Sequence, residues 1–188
     1  MKKVNSTNFV PQKIFLTKGI GTHKEKLASF ELALRDAGIA SLNLITVSSI
    51  LPPNCEFIEK KEGTKLLFPG QVVPIVLARS ESNKPSTIVS SGVGVAVPRN
   101  REDYGYLSEH HDTGMNDEHM EEYVEDLAAE MLATTYGIKF DPDASWDEKR
   151  ELWSIDNRIV KTRSVVQTGE VNIEGHWTTT VAAAVLIL

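Results

Sequence analysis

Cysteine is all but missing from this chain of 188 residues: Cys55 stands alone. No intrachain disulfide can form, so a reducing, cytoplasmic setting is the simpler expectation. Positive charge is in deficit, with 20 Lys and Arg against 26 Asp and Glu leaving a formal net charge of −6. That balance argues against a nucleic-acid partner, which calls for a basic stripe, and is compatible with a cationic small substrate. Long hydrophobic runs are lacking as well. The apolar tail Val181 to Leu188 is far too short to span a membrane and reads as a buried terminal strand. Met1-Lys2-Lys3 is followed by no apolar h-region, so no signal peptide is read. No stretch rich in Pro, Gly or Ser divides the chain and no internal repeat occurs, which points to a single domain over 1–188.

What is present is patterned for a mixed α/β domain. Residues 1 to about 10 are polar and read as loose. Lys13 to Thr17 reads as a strand, with Gly19 to Gly21 as the turn after it. Thr22-His23-Lys24-Glu25 matches a capping box and opens a helix that Gly38 closes. Its apolar stripe is Leu27, Phe30, Leu34 and Ala37, and Glu31 falls inside it. A carboxylate on a core-facing stripe is costly unless paired; a helix edge where Glu31 reaches solvent fits the pattern equally well.

Gln71 to Ala78 and Thr87 to Val97 read as strands. The second contains Ser90-Ser91-Gly92-Val93-Gly94, whose glycines signal a bulge or a close backbone approach rather than a nucleotide fingerprint. Asp103 to His110 reads as a strand with Leu107 and Glu109 on one face. Asn116 caps a long helix that ends at Gly137, with Met120, Val124, Ala128 and Leu132 among its apolar positions. Asp141 to Lys149 reads as a loop, and Arg158 to Gln167 with His176 to Leu188 as a closing antiparallel pair. His110, His111, Asp112 and His119 are common ligand types, but adjacent histidines point opposite ways on a strand, so no metal is expected. Cys55 reads as a buried thiol.

The remaining stretch, Asn43 to Pro53, is a β-branched run ending in Ser48-Ser49 and stopped by Pro52-Pro53. As a strand it puts Asn43, Ile45, Val47 and Ser49 on one face. Ser49 Oγ lies one residue past the Ser48 carbonyl, so an N-to-O acyl shift needs only a strained turn and a donor for the developing oxyanion. Asn43, on the Ser49 face, offers an amide for that purpose.

Asn43, Ser48-Ser49 and Pro52-Pro53 together resemble the pyruvoyl-dependent arginine decarboxylases. So do Phe30 to Ile39, Phe15-Leu16-Thr17-Lys18-Gly19 and Trp177-Thr178-Thr179-Thr180-Val181-Ala182-Ala183-Ala184, and the likeness covers most of the chain. The resemblance implies a four-layer αββα sandwich of mainly antiparallel sheets. It implies a proenzyme that cuts itself into 1–48 and 49–188 and turns Ser49 into a covalent pyruvoyl group, with no pyridoxal phosphate. It implies L-arginine as substrate, agmatine and carbon dioxide as products, and a homotrimer or hexamer with sites between subunits. Glu109, four residues after Gly105, matches the group that reprotonates the substrate's α-carbon. Glu31 falls where the family places an acidic residue for the guanidinium, though aspartate is the expected residue there. The extra methylene bears on arginine selectivity. Decarboxylation of another amino acid, or an unprocessed assembly subunit, are the alternatives.

Overall fold

The computed structural model describes residues 9–137 and 159–188. The loop read at Asp141 to Lys149 and the loose start before residue 9 lie outside them. One sheet holds β1 (Lys13–His23), β2 (Asn43–Thr46), β4 (Glu56–Phe57), β5 (Val72–Ser82) and β9 (Trp177–Ile187), in the order β2-β5-β9-β1-β4. The other holds β3 (Ile50–Leu51), β6 (Ile88–Pro98), β7 (Gly105–Thr113) and β8 (Ile159–Glu170), in the order β3-β7-β6-β8. Among the described residues only β1 with β4 and β2 with β5 run parallel; the other pairs are antiparallel.

Strand alternation sorts the apolar residues into layers. Ile14, Val76, Ala182 and Ala184 meet Val93, Val95 and Leu107 between the sheets. Phe15, Ile75, Val181, Ala183 and Val185 point the other way, onto Ala33 and Ala37 of α1 (Lys26–Asp36). Strand β9 therefore feeds two cores at once, which is why its sequence is an unbroken apolar run from Val181 to Ile187. The second sheet is covered by α3 (Asp117–Thr135), through Ala128 and Leu132 on Ala96 and through Met120 and Val124 on Val166. The result is the expected four-layer αββα sandwich, with a short α2 (Lys60–Gly63) packed on β1.

Several expectations need correction. Gly19 and Gly21 do not form a turn; both lie inside β1, where an added Cβ would overlap the backbone of Ala33 and of Ser29. They are the positions at which α1 rests on the sheet. The capping box also fails: α1 begins at Lys26 with Glu25 as its flanking residue, and no side chain caps it. Its C-terminus is as read, since Gly38 takes φ +78° while its N–H bonds Arg35 O and that of Ile39 bonds Leu34 O. This is a complete Schellman closure. Strands β8 and β9 do not pair; they belong to different sheets because β9 is held between β1 and β5. The Asn116 cap is in place, with His119 N donating to its Oδ1 at 2.9 Å.

Gly94 plays on β6 the part that Gly19 plays on β1. A Cβ there would overlap the Val124 carbonyl of α3. Gly94→Ala is expected to destabilise the protein by roughly 1–3 kcal/mol through overpacking. A denaturation midpoint equal to wild type would contradict the close seating of α3.

Candidate active site

The stretch read as one strand from Asn43 to Leu51 is two strands in two sheets. Strand β2 pairs with β5 and ends at Thr46, with Val47 N still donating to Ile75 O at 3.0 Å. The chain then crosses to the other sheet through Ser48 and Ser49, and β3 pairs with β7. Ser48 is exposed at this crossing and Ser49 is half-buried. Ser49 O accepts from Leu107 N at 2.8 Å, while Ser48 O accepts from Ile50 N at 2.9 Å. The strand stops at Leu51, ahead of the prolines, as the sequence predicts.

Beyond the prolines the chain is fastened firmly. Asn54 takes φ +57° and donates its N–H to Arg101 O at 2.9 Å. The Arg101 guanidinium returns a bond to Cys55 O at 2.5 Å, and Asn54 Nδ2 reaches Glu102 at 3.1 Å. The sequence gives no hint of this clamp: Pro-Pro-Asn signals a turn, but nothing local names an arginine 46 residues away. Cys55 is fully buried, and burial pushes its thiol up to about 11, with Arg101 pulling weakly the other way. It is a packing thiol and no nucleophile at neutral pH.

Glu109 lies on the Leu107 face of β7 and meets the Ser49 side chain. Much of its surface stays open to water, yet partial burial raises its carboxyl above the usual range; a hydrogen bond with the Ser49 side chain opposes that rise. The crossing thus brings a serine and a carboxyl of raised pKa together from segments far apart in sequence.

A family model described as pyruvoyl-dependent arginine decarboxylase matches residues 13–188. The chain belongs to this family. A "Probable pyruvoyl-dependent arginine decarboxylase" of Chlorobium limicola is 52% identical over 180 residues, covering 96% of this chain and 99% of that protein. "Pyruvoyl-dependent arginine decarboxylase 2" of Methanosarcina mazei is 51% identical over 178 residues, covering 95% and 97%. A Chloroherpeton thalassium relative, also named a probable pyruvoyl-dependent arginine decarboxylase, is 52% identical over 179 residues. The family is one of lyases, and its name implies a covalent pyruvoyl group and arginine as the substrate.

Of two other site residues of this decarboxylase-family chain, Asn43 is placed differently from the sequence reading and Glu31 takes one of the two placements it left open. Asn43 does not share a strand face with Ser49, because β2 ends before the crossing. Its side-chain amide donates instead to Gly70 O at 2.7 Å. Glu31 is not part of a core stripe. The buried face of α1 runs through Ser29, Ala33 and Ala37, with Phe30 and Leu34 beside it, and Leu27 is 76% exposed. Glu31 sits at the rim of that face and accepts from Arg35 Nε at 2.5 Å. Its partner among the described residues is Arg35, not Ser49 or Glu109.

The histidines form no metal centre among the described residues. His110 stacks on Tyr123 of α3 at 4.3 Å between ring centroids. The second Ser-Ser pair is locked into the fold: Ser90 Oγ donates to Met115 O and Ser91 Oγ meets Thr180 Oγ1 at 2.9 Å.

Proposed function

We propose that the chain cuts itself between Ser48 and Ser49, and that the resulting enzyme converts L-arginine to agmatine and carbon dioxide. The observation that carries this reading is the meeting of Ser49 with Glu109 at an exposed crossing between two sheets. Ser49 Oγ adds to the Ser48 carbonyl carbon. The peptide C–N bond breaks as an ester C–O bond forms, and the hydroxyl proton ends on the Ser49 nitrogen. Loss of the Ser49 α-proton then breaks the Cβ–O bond, releasing Ser48 as a carboxylate and leaving dehydroalanine at position 49. One water converts that residue to a pyruvoyl group and ammonia.

When present, the pyruvoyl group supplies an electron sink for the negative charge left on the α-carbon as carbon dioxide departs. Glu109 holds the proton that returns to this carbon. In the uncut chain burial raises its pKa and the hydrogen bond to the Ser49 hydroxyl opposes part of that rise. That hydroxyl is consumed in maturation, which leaves burial to act alone and strengthens Glu109's hold on its proton. The Arg101 clamp and the β3–β7 pairing keep the new end of 49–188 beside Glu109 after the cut.

The test is an intact mass spectrum followed by incubation with L-arginine. Two fragments matching 1–48 and 49–188, with release of agmatine and carbon dioxide, are expected; a single full-length chain overturns the reading.

Glu31 is assigned the substrate guanidinium, and it already accepts one from Arg35. Glu31→Gln is expected to leave self-cleavage normal and to raise the arginine KM. The loss in kcat/KM should be about tenfold, the lower end for a charge-assisted bond at a half-exposed carboxylate. Equal losses for arginine and ornithine would show that Glu31 only supports the helix.

Assembly as a homotrimer or hexamer, with sites between subunits, belongs to the same proposal. Both strands that flank the crossing are sheet edges, and Ile45 and Ile50 are exposed along them, with Val72 exposed at the start of the neighbouring β5. Sedimentation at three or six times the chain mass is expected; a monomer at assay concentration overturns it.

A further inference from the structure

The carbonyl that is attacked in self-cleavage already has a hydrogen-bond donor. Strand β3 is an edge strand of two residues, antiparallel to β7, with Ile50 opposite Tyr106 and Leu51 opposite Gly105. Leu107 N donates to Ser49 O at 2.8 Å, so Ser49 and Leu51 occupy the hydrogen-bonded positions of the ladder. Ile50 between them occupies the non-bonded position, and its N–H points away from β7. Among the described residues no strand lies on that side. An outward N–H on an edge ordinarily goes to solvent. Here it turns back to Ser48 O at 2.9 Å. The i-to-i+2 bond closes a γ-turn centred on Ser49, in the inverse form because Ser49 is not among the positive-φ residues.

We propose that the backbone N–H of Ile50 is the oxyanion donor of the self-cleavage reaction. The inference rests on the proposed cut between Ser48 and Ser49. When Ser49 Oγ adds to the Ser48 carbonyl carbon, negative charge develops on Ser48 O, the atom this N–H already holds. A donor fixed there before reaction needs no reorganisation as the charge forms. Its position is set by the core: Leu51 of β3 and Leu107 of β7 are buried together between the sheets, and the Arg101 clamp secures the turn that follows. The side-chain donor nominated by the sequence, Asn43, is engaged by Gly70 O instead. As the oxyanion collapses and Ser48 leaves, the N–H remains on 49–188 as part of the amide next to position 49.

The test removes the N–H and little else. Isoleucic acid, the α-hydroxy analogue, is placed at position 50 by cell-free translation of the full chain, turning the Ser49–Ile50 amide into an ester. Ile50→Pro is made alongside, and appearance of the 49–188 fragment is followed by intact mass. A parallel ester at Leu51 removes a ladder hydrogen bond of β3 but spares the donor on Ser48 O. The Ile50 ester is expected to cut roughly a hundredfold or more slowly, the usual loss for one oxyanion donor. The Leu51 ester is expected to lose thermal stability while keeping a near-normal cleavage rate. Wild-type cutting by the Ile50 ester overturns the proposal, whatever Ile50→Pro does to folding. Equal slowing by the two esters also overturns it, since the order of β3 would then set the rate. A wild-type chain that yields no 49–188 fragment instead overturns the cleavage reading itself.

Discussion

Ser49→Ala is expected to remain a single uncut chain, whereas Ser48→Ala is expected to yield two fragments. The difference follows from which atoms react. Ser49 supplies the attacking Oγ, and alanine has none. Ser48 supplies only its backbone carbonyl, which alanine retains together with the bond from Ile50 N–H. The Ser48 side chain projects at an exposed position, so its loss disturbs little packing. No cut is expected at Ser90-Ser91, where a hydroxyl also stands beside a peptide bond. Both of those residues are fully buried within a paired strand, and each hydroxyl already has a partner. Denaturing electrophoresis of the purified variants decides the matter: two fragments from Ser49→Ala, or none from Ser48→Ala after prolonged incubation, would sink the assignment.

Glu109→Gln is expected to mature normally and to turn over arginine roughly a hundredfold or more slowly, the contribution of a positioned general acid. Glutamine keeps the size and much of the hydrogen bonding of the carboxyl but has no proton to give. The pH dependence supplies an independent check. Burial raises the Glu109 pKa, so the protonated form persists to higher pH than for an ordinary glutamate. Turnover by wild type should fall as pH rises through that raised value, because the working form is the acid. Glu109→Gln cannot titrate there, so its slow residual rate should lack that descending limb. Near-wild-type turnover, or an unchanged limb in the variant, would assign the proton to another group.

The elements were legible where periodicity and punctuation agree. The Asn116 cap, the Gly38 closure, the proline stop after Leu51 and the strands β5, β6 and β7 all follow from local rules that act within a few residues. The same rules misread Gly19 and Gly21, because a glycine beneath a packed helix and a glycine in a turn look alike in sequence. They left Glu31 undecided between a core stripe and a helix edge, since Leu27 and Phe30 both fit a helical stripe and only the sheet beneath α1 shows that one is exposed.

By itself the sequence determined the family, through Asn43, Ser48-Ser49 and Pro52-Pro53, and it nominated Ser49 and Glu109 for the chemistry. It also marked Val181 to Leu188 as a buried terminal strand. Tertiary structure decided which sheet each strand joins, and with it the character of the site. Alternation defines the two faces of a strand but not its neighbours, which depend on hydrogen bonds to residues remote in the chain. One continuous strand would have aligned Asn43 with Ser49. Division between two sheets instead gives Asn43 to Gly70, gives Ser48 O to Ile50 N–H, and sets Ser49 against Glu109.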